Sequence, residues 1–146
     1  MQKSNILACG IYKNLPYVVL SHDFGHKCGY IGLDKDHSWA DMEDYKIPCE
    51  CNGGITFMDK DAPFNLKDKK AEFCETKNGR LLYHGIKESE WNRVWIGFDT
   101  AHFWDRNKNW TNEAMSNECK SMIDQAVKYD TLLEKFKRFF LNKDNN

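Results

Sequence analysis

The feature that most constrains this chain is a run of apolar residues at helical spacing in its C-terminal part. Successive apolar side chains alternate four and three residues apart, which places them on one face of an α-helix. Thr111 precedes the run as an N-cap, and Glu113 lies in the first turn, where an acidic residue favours the helix dipole. The pattern predicts a helix over residues 111–141 whose apolar face is formed by Met115, Cys119, Met122, Ala126, Tyr129, Leu133, Phe136 and Phe140.

A helix of this length is long for a small domain, because about 30 residues span about 45 Å. Either the helix extends beyond the body on which it packs, or it breaks near Tyr129–Thr131, where Asp130 or Thr131 could cap a second helix. We expect its first part to form a core helix on a sheet. For its far end we keep open a coiled-coil or partner-binding segment, and oligomerisation through the C-terminal helix, using Phe136, Phe139 and Phe140.

The first hundred residues have the pattern of short strands and turns. The apolar runs at 17–20 and 28–33 flank a turn at Gly25 and predict a hairpin. Trp39, Met42 and Tyr45 fall at helical spacing, so residues 34–50 are predicted to form a short helix or a packed loop. Further strands are predicted at 55–58, 80–86 and 94–98.

Together these elements predict an α+β fold. We expect an antiparallel sheet of about four to six strands packed by the long C-terminal helix. A chain of 146 residues suits a single domain, 1–146, with the sheet region over about 1–100 and the helical region over 111–141. Hydrophobic residues make up 41% of the chain, enough for a core, which excludes an intrinsically disordered protein.

Charge and hydropathy exclude several classes of protein. The net charge of −1 argues against nucleic acid as a partner, because duplex binding needs a strong basic field. No apolar run approaches the roughly 20 residues of a membrane helix, so we expect no membrane partner. The N-terminal residues do not read as a signal peptide. We therefore expect a cytoplasmic protein whose six cysteines are free thiols.

One group of residues combines the side chains that zinc prefers. These are His22, His26, Cys28, Cys49 and Cys51. Thiolate and imidazole are typical zinc ligands, but the group contains no C-x-x-C pair. We therefore expect no metal and no cofactor, with small buried cysteines and polar loop histidines; a zinc site formed by this group is the alternative.

A second group follows the predicted strand at 94–98. Asp99, His102 and Asp105 are spaced three residues apart and would share one face of a helical turn that began at Asp99. Such a group could bind a metal or act as an oriented acid–base pair. Alternatively, Asp99 caps a helical turn and His102 makes a local hydrogen bond. The turn Asn52-Gly53-Gly54 could present backbone N–H groups to an anion.

Several motifs follow one another in order along the chain. They are Cys28-Gly29-Tyr30-Ile31-Gly32, His37, Asp44-Tyr45, Gly53-Gly54-Ile55-Thr56-Phe57 and Trp95-Ile96-Gly97-Phe98-Asp99-Thr100-Ala101-His102. Together they resemble an uncharacterised family of small phage and prophage proteins, which has a G-Y-[VI]-G strand, a G-H-P turn, a [VI]-H-G-G-[LI]-T strand and a W-[WF]-[GF]-F-D-x-[AG]-H segment, followed by a C-terminal helix. The resemblance covers about residues 28–129. The chain departs from it at Asn52, where the family has histidine, and at Ser38, where it has proline.

The resemblance and the motifs lead to one expected site and three functional hypotheses. The expected pocket is lined by Tyr30, Gly53, Gly54, Thr56, Asp99 and His102. The first hypothesis is a phage accessory protein, not an enzyme, that captures a small ligand or a host protein in the cytoplasm of the infected cell and inhibits a host defence system. The second is a small metal-dependent hydrolase that uses Asp99 and His102 with His84 or His37. The third is a structural or scaffold protein.

Overall fold

The described part of the chain folds into an antiparallel sheet and one long helix, which confirms the predicted α+β class. A computed structural model describes residues 5–22, 25–62 and 92–144. Neighbouring strands are antiparallel throughout, in the order β1-β2-β3-β5-β4. The strands are β1 (Asn5–Tyr12), β2 (Leu15–Ser21), β3 (Lys27–Leu33), β4 (Phe57–Asp59) and β5 (Val94–Asp99), and the helix is α1 (Asn112–Asp144).

Two hairpins build one side of the sheet. The predicted hairpin is present as β2 and β3, with Val18 opposite Tyr30. A second hairpin joins β1 to β2 through Lys13 and Asn14, whose φ angles of 47° and 66° are those of a tight type I′ turn. Because lysine is not typical of this turn, the sequence does not predict the hairpin that adds β1 to the sheet.

The two faces of the sheet carry separate groups of buried side chains, because successive residues of a strand point to opposite faces. The face that packs against α1 includes Val19, Ile31, Ile96 and Phe98. The opposite face carries Cys9, Val18, Leu20, Cys28, Tyr30 and Trp95. Helix and sheet approach closely at Gly29, where a Cβ atom would lie only 2.5 Å from the Phe98 ring and 2.8 Å from Cys119 Sγ.

The helix α1 begins and packs as the sequence predicts. Thr111 Oγ1 accepts a hydrogen bond from the Ala114 N–H at 3.0 Å and so acts as the N-cap. The first part of the predicted apolar face is fully buried against the sheet, at Met115, Cys119, Met122 and Ala126.

Of the two alternatives for the helix, the break near Tyr129–Thr131 is wrong, because α1 is continuous over 33 residues, about 50 Å. Asp130 accepts a hydrogen bond from Ser38 instead of capping a second helix, and Thr131 donates to the Val127 carbonyl within α1. Beyond this point the large apolar side chains are exposed, at Leu132, Phe136, Phe139, Phe140 and Leu141. No helix in the described residues is both long and apolar enough to cross a membrane.

Of the two alternatives for the segment between β3 and β4, the packed loop is the one found. The segment forms two short 3-10 turns, Ser38–Asp41 and Asp44–Lys46, and no α-helix over residues 34–50. Trp39 is buried but Tyr45 is exposed, so their helical spacing does not reflect one packed face. The predicted strand at 55–58 is found at Phe57–Asp59, and the one at 80–86 lies outside the described residues.

Candidate functional site

The candidate site lies where the turn before β4 meets the segment that follows β5. The first contributes Asn52 and Gly53, and the second contributes Asp99 and the 3-10 turn Phe103–Asn107 with its N-cap, His102. The predicted helical turn starting at Asp99 is wrong. The strand continues through Asp99, and the Asp99 side chain accepts a hydrogen bond from the Ala101 N–H at 3.0 Å.

Asp105 is the centre of this site, with a side chain that is only 2% exposed. Its Oδ1 accepts hydrogen bonds from Asn52 Nδ2 and Trp110 Nε1, both at 3.0 Å. Its Oδ2 accepts from the backbone N–H and from Nδ1–H of His102, at 3.1 and 3.0 Å. We call Asn52, His102, Asp105 and Trp110 the Asp105 network.

The network stabilises the ionised form of a buried carboxylate. Burial acts to raise the pKa of Asp105, but hydrogen bonds from Trp110, His102 and Asn52 outweigh it, and the pKa is lowered. All of these partners are donors, so the carboxylate fits the site only as an acceptor. Asp105 therefore fixes the turn Phe103–Asn107 to the loop at Asn52 and to the start of α1.

His102 is held on three sides. Its Nδ1 lies 3.0 Å from Asp105 Oδ2 and 3.6 Å from Asp99 Oδ1. Its ring stacks on Trp104, with centroids 4.4 Å apart and planes inclined by 6°. Gly53 lies against the ring edge: a Cβ atom there would be 2.2 Å from His102 Cε1, and its φ of +72° also favours glycine. The glycine therefore makes the position of the imidazole possible.

Asn52 joins the parts of the site. Its Nδ2 also donates to the Asp99 carbonyl at 3.1 Å, and its Oδ1 accepts from Trp104 Nε1 at 3.1 Å. Its backbone N–H donates to Glu118 Oε1 on α1 at 3.1 Å. The amide side chain thus provides both a donor and an acceptor at this position.

The turn Phe103–Asn107 presents large side chains to solvent. Phe103 is 80% exposed and Trp104 is 53% exposed. The Arg106 guanidinium carbon lies 5.2 Å from the centre of the Phe103 ring, a cation–π contact. The exposed rings of Phe103 and Trp104, with Arg106 beside them, thus lie next to the buried Asp105 network.

The structure brings together three of the six predicted pocket residues: Gly53, Asp99 and His102. Tyr30 is buried on the face of the sheet opposite α1, edge-on to Phe57 at 5.1 Å, and burial, with a smaller contribution from Asp99, raises its pKa. Gly54 donates its backbone N–H to the Cys51 carbonyl. Thr56 is exposed, and its backbone N–H donates to Gly97.

Two residues central to the site, Asn52 and Asp105, are not among the predicted pocket residues. The three-residue spacing of Asp99, His102 and Asp105 groups these side chains correctly. The same spacing does not indicate that Asp105 is the buried member. Asn52 carries no signal of its own beyond preceding Gly53 and Gly54.

The five-residue zinc group of the sequence is divided between the faces of the sheet. His22, His26 and Cys28 lie together, whereas Cys49 and Cys51 contact the core that faces α1. The hydrogen bond between Cys49 and Cys51 raises the pKa of the former and lowers that of the latter. The five cysteines within the described residues are free thiols, and Cys74 lies outside them.

Of the histidines proposed as hydrolase residues, His37 lies at a different site. It is buried against α1, where its Nε2–H donates to the Ala126 carbonyl at 2.9 Å. His84 lies outside the described residues. Searches of protein-family models, curated proteins and solved structures found no match to this chain.

Proposed function

We propose that this protein is an accessory binding protein that captures a host protein through the exposed face of the turn Phe103–Asn107. The observation that carries the proposal is the pairing of a rigid, buried anchor with an exposed aromatic surface. Hydrogen bonds to the buried Asp105 hold the turn in place, while the side chains of Phe103 and Trp104 are exposed to solvent.

The anchor favours binding because it removes conformational freedom before a partner arrives. A loop that is already ordered loses less entropy on association than a mobile one. Trp104 is held by its stack on His102 and by the hydrogen bond from its Nε1 to Asn52. Its exposed surface is therefore presented in one orientation.

The composition of the turn also fits a protein partner. Tryptophan and arginine are enriched among residues that dominate the affinity of protein interfaces, and aromatic rings bury large areas. Phe103, Trp104 and Arg106 lie together here. We propose that the partner offers an apolar depression with an acidic group beside it, which would receive the two rings and pair with Arg106.

The setting of this interaction rests on the resemblance to phage proteins. It supports a role in the cytoplasm of an infected cell, where capture of a component of a host defence system would block that system. A small ligand is the alternative occupant. His102 Nε2 favours it, because this atom has no hydrogen-bond partner among the described residues.

The experiment starts with capture from a host-cell lysate by the immobilised full-length chain. The captured protein is then purified, and its dissociation constant is measured by calorimetry. We expect Phe103→Ala and Trp104→Ala each to weaken binding by about 30-fold or more, the effect of losing a residue that dominates an interface. Tyr45→Ala is the matched control, because Tyr45 is an exposed aromatic residue of another 3-10 turn.

The result would contradict the proposal if both variants bound the partner with wild-type affinity, or if Tyr45→Ala weakened binding equally. A lysate that yields no captured protein would also reject it. Recovery of a small molecule by native mass spectrometry, lost on His102→Gln, would favour the alternative occupant.

The metal-dependent hydrolase hypothesis has less support. Asp99 and His102 are close, but with Asp105 they do not form a group of three ligands that could surround an ion in the described residues. The Asp105 oxygens are already occupied by donors. A scaffold role without a specific site would not require an exposed Trp104 on a buried polar anchor.

Self-association through α1 is a separate proposal about partners. The exposed end of α1 carries an apolar stripe that a second copy could cover, at Leu132, Phe136, Phe139 and Phe140. Sedimentation velocity over a range of concentrations tests it. We expect a dimer that Phe136→Asp converts to a monomer; a wild-type chain that remains monomeric at the highest concentration would reject it.

A further inference from the structure

Three metal-ligating side chains converge at the connection between β2 and β3. One ligand atom from each of His22, His26 and Cys28 lies within 4.8 Å of the others. In the described ranges this is the only set of three or more histidine, cysteine or acidic side chains with such a separation. The set lies on the face of the sheet opposite α1, where Asp99 pairs with Cys28 across the β3–β5 ladder.

The backbone of the hairpin dictates this convergence. The His22 N–H donates to the His26 carbonyl at 3.0 Å, so the two residues lie opposite each other where the strands separate. Their rings are 5.0 Å apart. Cys28 follows His26 by two residues in an extended chain, and therefore points to the same face.

The donor set is that of a zinc site. Two imidazoles and one thiolate are nitrogen and sulfur ligands of the softness that zinc prefers, and do not suit magnesium or calcium. Ligand distances of about 2.0–2.1 Å for nitrogen and 2.3 Å for sulfur place the three donors roughly 3.3–3.6 Å apart around a tetrahedral ion. The donor atoms lie within 4.8 Å of one another, so small side-chain rotations meet this requirement.

The residues around the group complement a thiolate ligand. The Tyr30 hydroxyl hydrogen-bonds to Cys28 and lies 3.4 Å from His22 Nε2. The Tyr30 hydroxyl is a group that can donate a hydrogen bond to a thiolate. A divalent ion bound to Cys28 replaces the thiol proton, which leaves to solvent. Asp99, opposite Cys28 on β5, supplies a negative charge that favours a bound cation over a free thiolate.

We propose that His22, His26 and Cys28 bind one zinc ion, with solvent in the fourth position and Tyr30 as an outer-shell donor to the sulfur. The site goes beyond the proposed capture of a host protein and does not depend on it. A hairpin connection fixed by a metal would also hold the start of β3 in place.

The test measures zinc and cobalt binding to the metal-free full-length chain. We expect wild-type protein to bind zinc in a one-to-one complex, and Co²⁺ to give the charge-transfer absorption of a thiolate ligand. Cys28→Ser should abolish that absorption, and both Cys28→Ser and His26→Gln should weaken zinc binding by more than about 100-fold. Tyr30→Phe should weaken it by about 10-fold, as for the loss of an outer-shell partner.

Cys9→Ser is the matched control, because Cys9 is buried in the same cluster as Cys28 but two strands away from Tyr30. It should bind zinc as the wild type does. Circular dichroism shows which variants fold, and His26→Gln, at a partly exposed residue, tests the site even if Cys28→Ser unfolds. The proposal is rejected if the wild type binds no zinc, or if Cys28→Ser and His26→Gln bind it with unchanged affinity.

Discussion

The chain contains two turns of the same local design that face opposite environments. In each, a histidine is the N-cap of a 3-10 turn and is followed two residues later by tryptophan: His37 with Trp39, and His102 with Trp104. In both, the two rings are in contact, with centroids 5.2 and 4.4 Å apart. Trp39 is completely buried, whereas Trp104 is 53% exposed.

The first turn is part of the core. His37 Nδ1 accepts from the Trp39 N–H at 2.9 Å, and Nε2–H donates to the Ala126 carbonyl of α1. Both ring nitrogens are therefore used within the protein. Trp39 packs against Tyr129 of α1, with ring centroids 5.6 Å apart. The turn joins the β3–β4 connection to the helix.

In the second turn only Nδ1 of the histidine is used, as a donor to Asp105, and the tryptophan faces solvent. The difference teaches that the local motif does not decide the role. A tertiary neighbour, α1 in one case and a buried carboxylate in the other, decides whether the tryptophan is buried in the core or exposed to solvent.

The strongest test of this comparison is Trp39→Ala. We expect it to destabilise the protein by about 3–5 kcal/mol, because it leaves a large cavity between the turn and α1. Chemical denaturation measures the change. Trp39→Phe is the control: it keeps most of the ring and removes the buried Nε1–H, which has no hydrogen-bond partner in the described residues. If Trp39→Ala were as stable as the wild type, the conclusion that the first turn stabilises the core would be wrong.

Asp105→Asn should cause the next largest loss of stability, about 2–3 kcal/mol in the free energy of unfolding. An amide at this position would direct its own donors at Asn52, Trp110 or His102, and leave buried donors without acceptors. Thermal unfolding at neutral pH measures the loss. A melting temperature equal to that of the wild type would show that the second turn is not anchored by Asp105.

The same residue predicts a pH dependence. The pKa of Asp105 is lower in the folded than in the unfolded protein, so its stabilisation is complete above the unfolded pKa of about 3.9. The stabilisation is lost as pH falls through the lower, folded value. The difference in stability between wild type and Asp105→Asn should therefore shrink in acid, and a constant difference from neutral to acidic pH would contradict this assignment.

His37→Asn should cost about 1–2 kcal/mol. Asparagine keeps an acceptor for the Trp39 N–H, since it is itself a good N-cap, but it cannot reach the Ala126 carbonyl. The Ala126 carbonyl keeps its bond from the helix backbone, so the cost is that of one buried hydrogen bond. Denaturation of His37→Asn beside His37→Ala separates the two contacts, and we expect the alanine variant to lose more. Equal losses would mean that the cap contributes nothing.

Burial is predicted best from the sequence where a periodic apolar pattern packs against one neighbouring element. The stripe from Met115 to Ala126 has the sheet as its partner, and periodicity is enough to identify it as buried. The same periodicity continues to Phe140, but the sheet does not, so the sequence cannot show where burial ends. The spacing of Asp99, His102 and Asp105 likewise identifies a group without revealing its buried member.

Trp39 and Trp104 show most clearly which structural feature the sequence does not predict. Trp39 is buried because Tyr129 and Ala126, about ninety residues away along the chain, close over its turn. Nothing adjacent to His37 or His102 in the sequence specifies that contact. Orientation of a turn toward core or solvent is a property of the assembled fold, and short-range patterns do not contain it.

The smallest loss of stability is expected for the exposed tryptophan, Trp104. Trp104→Ala should change stability by no more than about 1 kcal/mol, because the side chain is largely exposed and loses only its stack on His102 and its bond to Asn52. Asp105, with its other donors, still holds the turn. Denaturation of Trp104→Ala beside Trp39→Ala, under the same conditions, therefore compares two tryptophans in the same local setting. A loss for Trp104→Ala as large as that for Trp39→Ala would show that the second turn also serves the fold, and the surface proposed for partner binding would then need another explanation for its exposed rings.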